Sequence, residues 1–314
     1  MNADDGIRAG VGRVTGSDDE LRSAAFAIAY RMLGSVAEAE DVVQEALLRV
    51  HQAGEAGERI ESPRAYVATV ATRLAIDHLR SARVRRETYV GEWLPEPLVT
   101  DAADDPAHQA EMADSLSLAF LVLLESLSPE QRAVLLLRDA FDYGYGEIAS
   151  IIGKSEDNVR QLAARARRHV EERKPRFEAS RRQRDELARR FFAAAQGGDL
   201  AGLESLLADD VVLHGDGGGK VPALARSLHG RGRVARTLRA WARQGERIAG
   251  AAFRLVEVNG QPGALLLDGE RHVIGVMALD IADGQIQTVR SIVNPDKLRH
   301  VGPVADMRAL LGRR

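Results

Sequence analysis

Residues 213–223 read LHGDGGGKVPA, with three adjacent glycines between Asp216 and Lys220. A backbone without Cβ atoms turns through positive φ and can aim its N–H groups at an anion, so such a loop is a candidate phosphate cradle. The phosphate-loop signature, however, needs Gly-Lys followed by Ser or Thr, whose hydroxyl holds a metal ion. Here Val221 and Pro222 follow Lys220, so the stretch reads better as a turn or contact loop. Cysteine is absent, which excludes disulfides and thiolate metal sites. His214, His272, Trp241, Phe253 and Met277 are candidates to line an apolar pocket. No carboxylate base with a matching donor pair, as isomerase chemistry requires, can be named beside them. The expectation is a protein that is not an enzyme and uses no metal and no cofactor.

The elements that must carry these residues fall into two kinds. A chain of 314 residues with 45% hydrophobic content has room for two or three packed domains. Its net charge of −3 gives no overall positive field, so any nucleic-acid surface must be local. Neither a leader-like segment nor an apolar run of membrane length is seen, and a soluble cytoplasmic protein without membrane contact is expected. Residues 1–17 are rich in Gly, Asp and Arg without periodicity and read as a disordered tail. From Leu21, apolar residues recur at three and four, and Gly34 ends the segment. Ser35 with Glu38 forms a capping box for a second helix striped by Val42, Val43, Ala46, Leu47 and Val50. Ser62 and Pro63 open a third helix, whose end carries Arg80, Arg83, Arg85 and Arg86. Residues 88–106, with WLPEP and a run of acids, read as a linker, in which Trp93 is expected to dock on a partner surface. Past Pro175 come two helices, then five β-rich runs separated by Asn-Gly, Asp-Gly or Gly turns, with one more helix among them. Helices followed by a curved antiparallel sheet make an α+β layout.

Residues 146–170 hold a short helix, a turn at Gly153 and a longer helix capped by Ser155. Ile148, Ala149 and Ile152, then Val159, Leu162, Ala163 and Ala166, share the inward side. That leaves Glu156, Asp157, Asn158, Arg160, Gln161, Ala164, Arg165, Arg167 and Arg168 outside. This is a helix-turn-helix pattern, in which the second helix enters the major groove. Arg reads guanine and Gln reads adenine, while small Ala164 permits close approach. Basic residues continue through Arg173, Lys174, Arg176, Arg181 and Arg182, suited to phosphates.

Residues 29–52, AYRMLGSVAEAEDVVQEALLRVHQ, together with SPRAYVATVATRLAIDHLRSAR, resemble region 2 of an extracytoplasmic-function (ECF) sigma factor of bacterial RNA polymerase. LSPEQRAVLLLRDAFDYGYGEIASIIGKSEDNVRQLAARARRHV resembles region 4 of the same family. The resemblance implies a sigma factor with region 2 over residues 18–87 and region 4 over 107–174. The implied partners are core RNA polymerase, through its β′ clamp helices and β subunit, and promoter DNA. It assigns Asp41, Gln44 and Glu45 to the clamp helices. Glu58, Arg59, Ile60, Glu61 and Ser62 match the loop that captures an unstacked −10 base, with Asp77, Arg80 and Arg83 nearby on the following helix. Ser155, Glu156, Asn158, Arg160, Gln161, Ala164, Arg165 and Arg168 would meet the −35 element.

Residues 176–299 resemble a SnoaL-like domain, the α+β cone of the ketosteroid isomerase superfamily, with 300–314 as a tail. WLPEPL, DGGGK and NPDKL are similar to stretches of the ECF subgroup with a SnoaL-like extension, which implies regulation in cis. The expected fold is therefore two all-α domains followed by an α+β cone. The expected regulatory contacts join Trp93, Leu94, Pro95, Glu96 and Pro97 to Asp216, Gly217, Gly218, Gly219 and Lys220 and to Asn294, Pro295, Asp296, Lys297 and Leu298. Asp216, Lys220, Asp296 and Lys297 offer charge pairs that are easily switched and that, where exposed, are each worth little. A small-molecule ligand in the cone stays open. The alternatives are a conventional DNA-binding regulator with a ligand domain, or a SnoaL-like enzyme fused to a DNA-binding anchor.

Overall fold

The computed structural model describes residues 17–87, 89–100, 116–171 and 180–312. The expected tail over 1–17 thus lies almost wholly outside the described residues, as do Arg173, Lys174 and Arg176. The first half is helical: α1 (Ser17–Leu33), α2 (Val36–Glu55) and α3 (Pro63–Glu87), then α4 (Leu118–Leu124), α5 (Pro129–Asp139), α6 (Tyr145–Ile152) and α7 (Glu156–Glu171). Each buries the stripe its periodicity marks: Ala25, Ile28, Ala29 and Met32 on α1, and Val67, Ala68, Ala71 and Ala75 on α3. The two helical groups do not have separate interiors. One continuous core runs from α1–α3 into α4–α7. Arg132 on α5, 2% exposed, ties the halves: its guanidinium donates to Met32 O at 2.6 Å, Leu124 O at 3.0 Å and Glu125 at 2.7 Å. Arg73 on α3 donates to Ile151 O and Ser150 O at the end of α6.

The second half is the cone. Helices α8 (Arg181–Gln196), α9 (Leu200–Leu206) and α10 (Arg231–Gly245) cover one face of a sheet built from β2 (Leu207–Asp216), β3 (Leu228–His229), β4 (Ala252–Val258), β5 (Gln261–Leu267), β6 (Val273–Ala282) and β7 (Gln285–Ile292). Phe191, Phe192, Leu238, Leu279 and Val289 form the core between them. The chain ends in a 3-10 turn (Pro295–Lys297) and α11 (Met307–Gly312). With β1 (Val99–Thr100) at one edge, the strand order is β1-β4-β5-β6-β7-β2-β3. The sheet is mixed, not purely antiparallel, because β2 runs parallel to β7. Its edge strand β1 (Val99–Thr100) comes from the expected linker and pairs antiparallel with β4, Val99 opposite Val258. The other face of the sheet is not solvated. Leu94 of the linker and Leu118 of α4 pack there against Val256, Val258, Leu265 and Ile292. Among the described residues no helix is long and apolar enough to cross a membrane.

Candidate nucleic-acid and regulatory interfaces

Helix α7 is built to show one face. Val159, Ala163, Ala166 and Val170 are buried, while Ser155, Glu156, Asn158, Arg160, Gln161, Ala164, Arg165 and Arg168 are exposed. Ser155 Oγ accepts from Asn158 N at 3.3 Å, capping the helix. Gly153, at φ +67, makes the left-handed turn that lets α6 hand over to α7. Arg160 lies 4.6 Å over the Tyr145 ring and pairs with Glu156. Arg167 is drawn inward by Asp139, and that bond raises its pKa above the usual value.

On α2, Asp41 and Gln44 are exposed, and Glu45 pairs with Arg49 at 2.8 Å. Leu48, four residues past Gln44 and seven past Asp41, continues the same face and is 50% exposed. An apolar residue on the polar side of an amphipathic helix was the signal for it in the sequence. Glu58, Arg59, Glu61 and Ser62 are exposed and Ile60 is half-buried; Ser62 Oγ accepts from Ala65 N and caps α3. Asp77 and Arg80 are exposed and paired at 3.1 Å, and Arg80 also reaches Glu130 of α5 at 2.7 Å. The Arg83 side chain lies outside the described residues. The structure therefore gathers Asp77 and Arg80 at a contact between α3 and α5, not on a bare surface.

Residues 89–100 are not a loose spacer. They form a strap held from both sides, with Leu94, Pro95, Glu96 and Pro97 buried. On the helical side, Glu96 caps α2 from sixty residues away. Its carboxylate accepts from Val36 N at 2.7 Å, Ala37 N at 3.2 Å and Ser35 Oγ at 2.8 Å. The expected local cap, Ser35 Oγ accepting from Glu38 N, is present at 3.2 Å, and the strap supplies the negative charge at the helix start. Trp93 packs over Gly34, at the end of α1.

On the cone side, four donors converge on the fully buried Asp216: Tyr89 Oη at 2.5 Å, Leu94 N at 2.9 Å, Gly218 N at 3.1 Å and Lys297 Nζ at 2.7 Å. Lys297 also donates to Leu94 O and sits 4.3 Å over the Trp93 ring and 5.1 Å over the Tyr89 ring. Burial, then the bond to Asp216 and its charge, raise the Tyr89 pKa, which keeps the phenol a donor. Asn294 Nδ2 donates to Tyr89 Oη at 2.9 Å. Farther along, Asn259 joins three segments: it accepts from Leu98 N and donates to Tyr30 Oη and Leu116 O. A second cluster sets Glu92 against His214 Nδ1 at 2.6 Å and Ser227 Oγ at 3.1 Å. Burial pushes the Glu92 carboxyl up, but the His214 and Ser227 bonds and the Arg290 charge outweigh it, and its pKa falls below the ordinary value.

This geometry gives the two charge pairs different depths. Asp216 and Lys297, at 0% and 7% side-chain exposure, form a buried pair and not an exposed, weak one. Lys220 and Asp296 do form an exposed pair. The glycines answer the phosphate question. Gly218 N–H is committed to Asp216, and a Cβ on Gly219 would lie 2.9 Å from Val90 Cβ. The loop packs on the strap and takes a side chain of its own chain where an anion cradle would take a ligand. Asn294 caps the 3-10 turn through Asp296 N, and Leu298 is buried. Among the described residues no cluster of three His, Cys, Asp or Glu could hold a metal ion.

Residues 19–85 match the family model for sigma-70 region 2, 117–170 that for sigma-70 region 4, and 188–292 that for a SnoaL-like domain. The ECF RNA polymerase sigma factor SigJ of Mycobacterium tuberculosis is 39% identical over 300 residues, 93% of this chain and 95% of SigJ. This chain belongs to the ECF sigma factors. A probable ECF sigma factor of the same organism, SigI, is 34% identical over 86% of this chain and 90% of its own length. The crystal structure of SigJ superposes with a TM-score of 0.73 at 34% identity, covering 93% of this chain and all of that one. Matches to both region 2 and region 4 disfavour a conventional repressor or an enzyme with a DNA-binding anchor.

Several residues of this sigma factor's interfaces escaped sequence reasoning: Tyr30, Tyr89, Glu92 and Asn259. Of the pocket candidates, Trp241, Phe253 and Met277 line a cavity in the cone. His214 instead faces the strap, and His272 bonds Asp268. Arg181, expected among the phosphate-binding residues, pairs with Glu257 on β4 at 2.6 Å.

Proposed function

We propose that this sigma factor offers α7 to the −35 element and the α2 face of Asp41, Gln44, Glu45 and Leu48 to the β′ clamp helices of core polymerase. The 58–62 loop, with Asp77, Arg80 and Arg83, takes the −10 element. The cone acts in cis, through the strap, on when these surfaces separate. The observation that carries the DNA reading is the solvent face of α7, where Gln161, Arg165 and Arg168 stand beside small Ala164. Gln and Arg pair bidentately with adenine and guanine edges. An unstacked −10 base is read by pocket and edge, so no catalytic group is needed. Such a factor works on chromosomal promoters in the cytoplasm.

The regulatory reading rests on distance. The −10 and −35 elements lie about 25 base pairs apart, which at about 3.4 Å each is roughly 85 Å. Here regions 2 and 4 share one core, and Arg80 is bonded to Glu130. A sigma factor in this arrangement cannot reach both elements, so its modules must part on the promoter. The strap, gripped by α2 at Glu96 and by the cone at Leu94, resists that parting.

Run-off transcription with purified core polymerase tests the reading. The full chain must confer promoter-specific initiation. The Gln161→Ala, Arg165→Ala pair must lower it at least about fivefold, since each base contact is worth about 1–3 kcal/mol, while core binding is retained. Unchanged output from that pair, or a chain that never joins core polymerase, refutes it.

A further inference from the structure

Tyr145 stands where α5, α6 and α7 meet, and three arginines gather on it. The guanidinium of Arg160 on α7 lies 4.6 Å over its ring and that of Arg138 on α5 lies 5.3 Å over it, while Arg167 Nη1 donates to its hydroxyl at 3.4 Å. Like charges so close repel, so each needs a compensating partner. Two of the three are half-buried and held locally. Arg138 Nη1 donates to Tyr143 O at 3.0 Å and to Asp142 at 3.2 Å, and Arg167 is bonded to Asp139. Arg160 differs. It is exposed, its acid partner Glu156 is exposed too, and both stand on the solvent face of α7. Such a pair is worth little in water, and a nucleic acid can replace it. Tyr145 is not displaced so readily. It is half-buried and fixed as the first residue of α6, where Gly144 N donates to Glu147 at 2.7 Å across the cap. A ring attracts a guanidinium while leaving its forked N–H edge free for guanine O6 and N7. Arg165 and Arg168, on the same face, lie over no ring among the described residues.

We propose that Tyr145 is a positioning residue for −35 recognition: on the promoter, Arg160 leaves Glu156, stays over the ring and presents its fork to a guanine. An arginine side chain loses rotamer freedom when it binds, and a ring that holds it beforehand lowers that cost. The gain falls on the base pair that Arg160 meets, not on the element as a whole. This inference rests on the promoter reading of α7.

The test uses holoenzyme assembled from the full chain and core polymerase, on a barcoded promoter library randomised through the −35 and −10 elements, with transcripts counted by sequencing. Arg160→Ala identifies the base pair that Arg160 reads, as the position whose preference flattens. Tyr145→Leu is expected to lower the preference at that pair about three- to tenfold, and elsewhere in the element by less than about twofold. Tyr145→Met, which also lacks a ring, must repeat that split, and Tyr145→Phe must stay within about twofold of the parent. In an Arg160→Ala background, Tyr145→Leu must change the profile by no more than about twofold. A uniform loss across the element, an equal loss in the Arg160→Ala background, or Tyr145→Phe as damaging as Tyr145→Leu overturns the proposal, since each marks a merely structural hub. So does an Arg160→Ala profile that flattens nowhere, or a parent preference that Tyr145→Leu and Tyr145→Met leave intact. A parent profile with no −35 preference at all overturns the promoter reading itself, and this proposal with it.

Discussion

Asp216→Ala attacks the point where the strap meets the cone. The substitution removes the acceptor for four donors and strands Lys297, which is 6% exposed overall. The ammonium keeps Leu94 O and the faces of Trp93 and Tyr89. Removing one member of a buried ion pair costs about 3–5 kcal/mol, because the other charge is left without compensation. At about 1.4 kcal/mol per factor of ten, the clamped state should lose roughly two to three orders of magnitude relative to the released one. Lys297→Met should cost less, about 1.5–3 kcal/mol, since Asp216 would still accept from Tyr89, Leu94 and Gly218. Hydrogen-exchange mass spectrometry over residues 89–98 reads this directly, because Leu94 N–H points at the Asp216 carboxylate. In Asp216→Ala its exchange should speed up by about a hundredfold or reach the limit set by global unfolding. Lys297→Met should fall between that variant and the parent. Parental protection of Leu94 in Asp216→Ala, or a larger effect from Lys297→Met, would refute the reasoning.

Glu96→Gln keeps the shape of the α2 cap but removes its charge, and should lower stability by about 1 kcal/mol in urea unfolding; an unshifted midpoint would contradict the capping role. Gly219→Ala and Gly284→Ala replace glycines that both sit at φ +69, so each should bear about 1–2 kcal/mol of backbone strain. Only Gly219 faces Val90, with open space around Gly284, so only Gly219→Ala should also speed exchange in the strap. The Glu92 carboxyl has a depressed pKa in the folded protein, so its contribution is fully present above the ordinary Glu value and is lost as pH falls through the lowered one. Acid titration should show the strap near Glu92 holding to the bottom of the usual carboxylate range, and Glu92→Gln should remove that dependence.

Much of this architecture was readable from local pattern. Helix periodicity, the caps at Ser35, Ser62 and Ser155, and the glycine turn at 153 mark most of α1–α7, because each signal lies within a few residues of what it controls. Turn dipeptides delimit the strands of the cone in the same way. The strap was not readable as a strap. Prolines at 95 and 97 break any helix or strand period, and nothing local tells what the acids at 92 and 96 would meet. Their partners, His214 and the start of α2, lie 122 and about sixty residues away, beyond any local period. Asn259 shows the same limit. Asn-Gly marks a hairpin turn, and Asn259 does have φ +51, yet its amide also knits the turn to Tyr30 and Leu116. The depth of Asp216 stayed open in the sequence, since charge type does not reveal burial.

The clamp on Leu94 closes only when Lys297 exists, 203 residues later in the chain. Ribosomes add about 5–20 residues per second, so a newborn molecule spends roughly 10–40 seconds with its promoter-reading modules made and its catch unfastened. Messenger RNA and chromosome share one compartment in bacteria, and polymerase is close at hand during that interval. On the regulatory reading proposed above, age since synthesis would decide, as well as any signal, which molecules are free to engage.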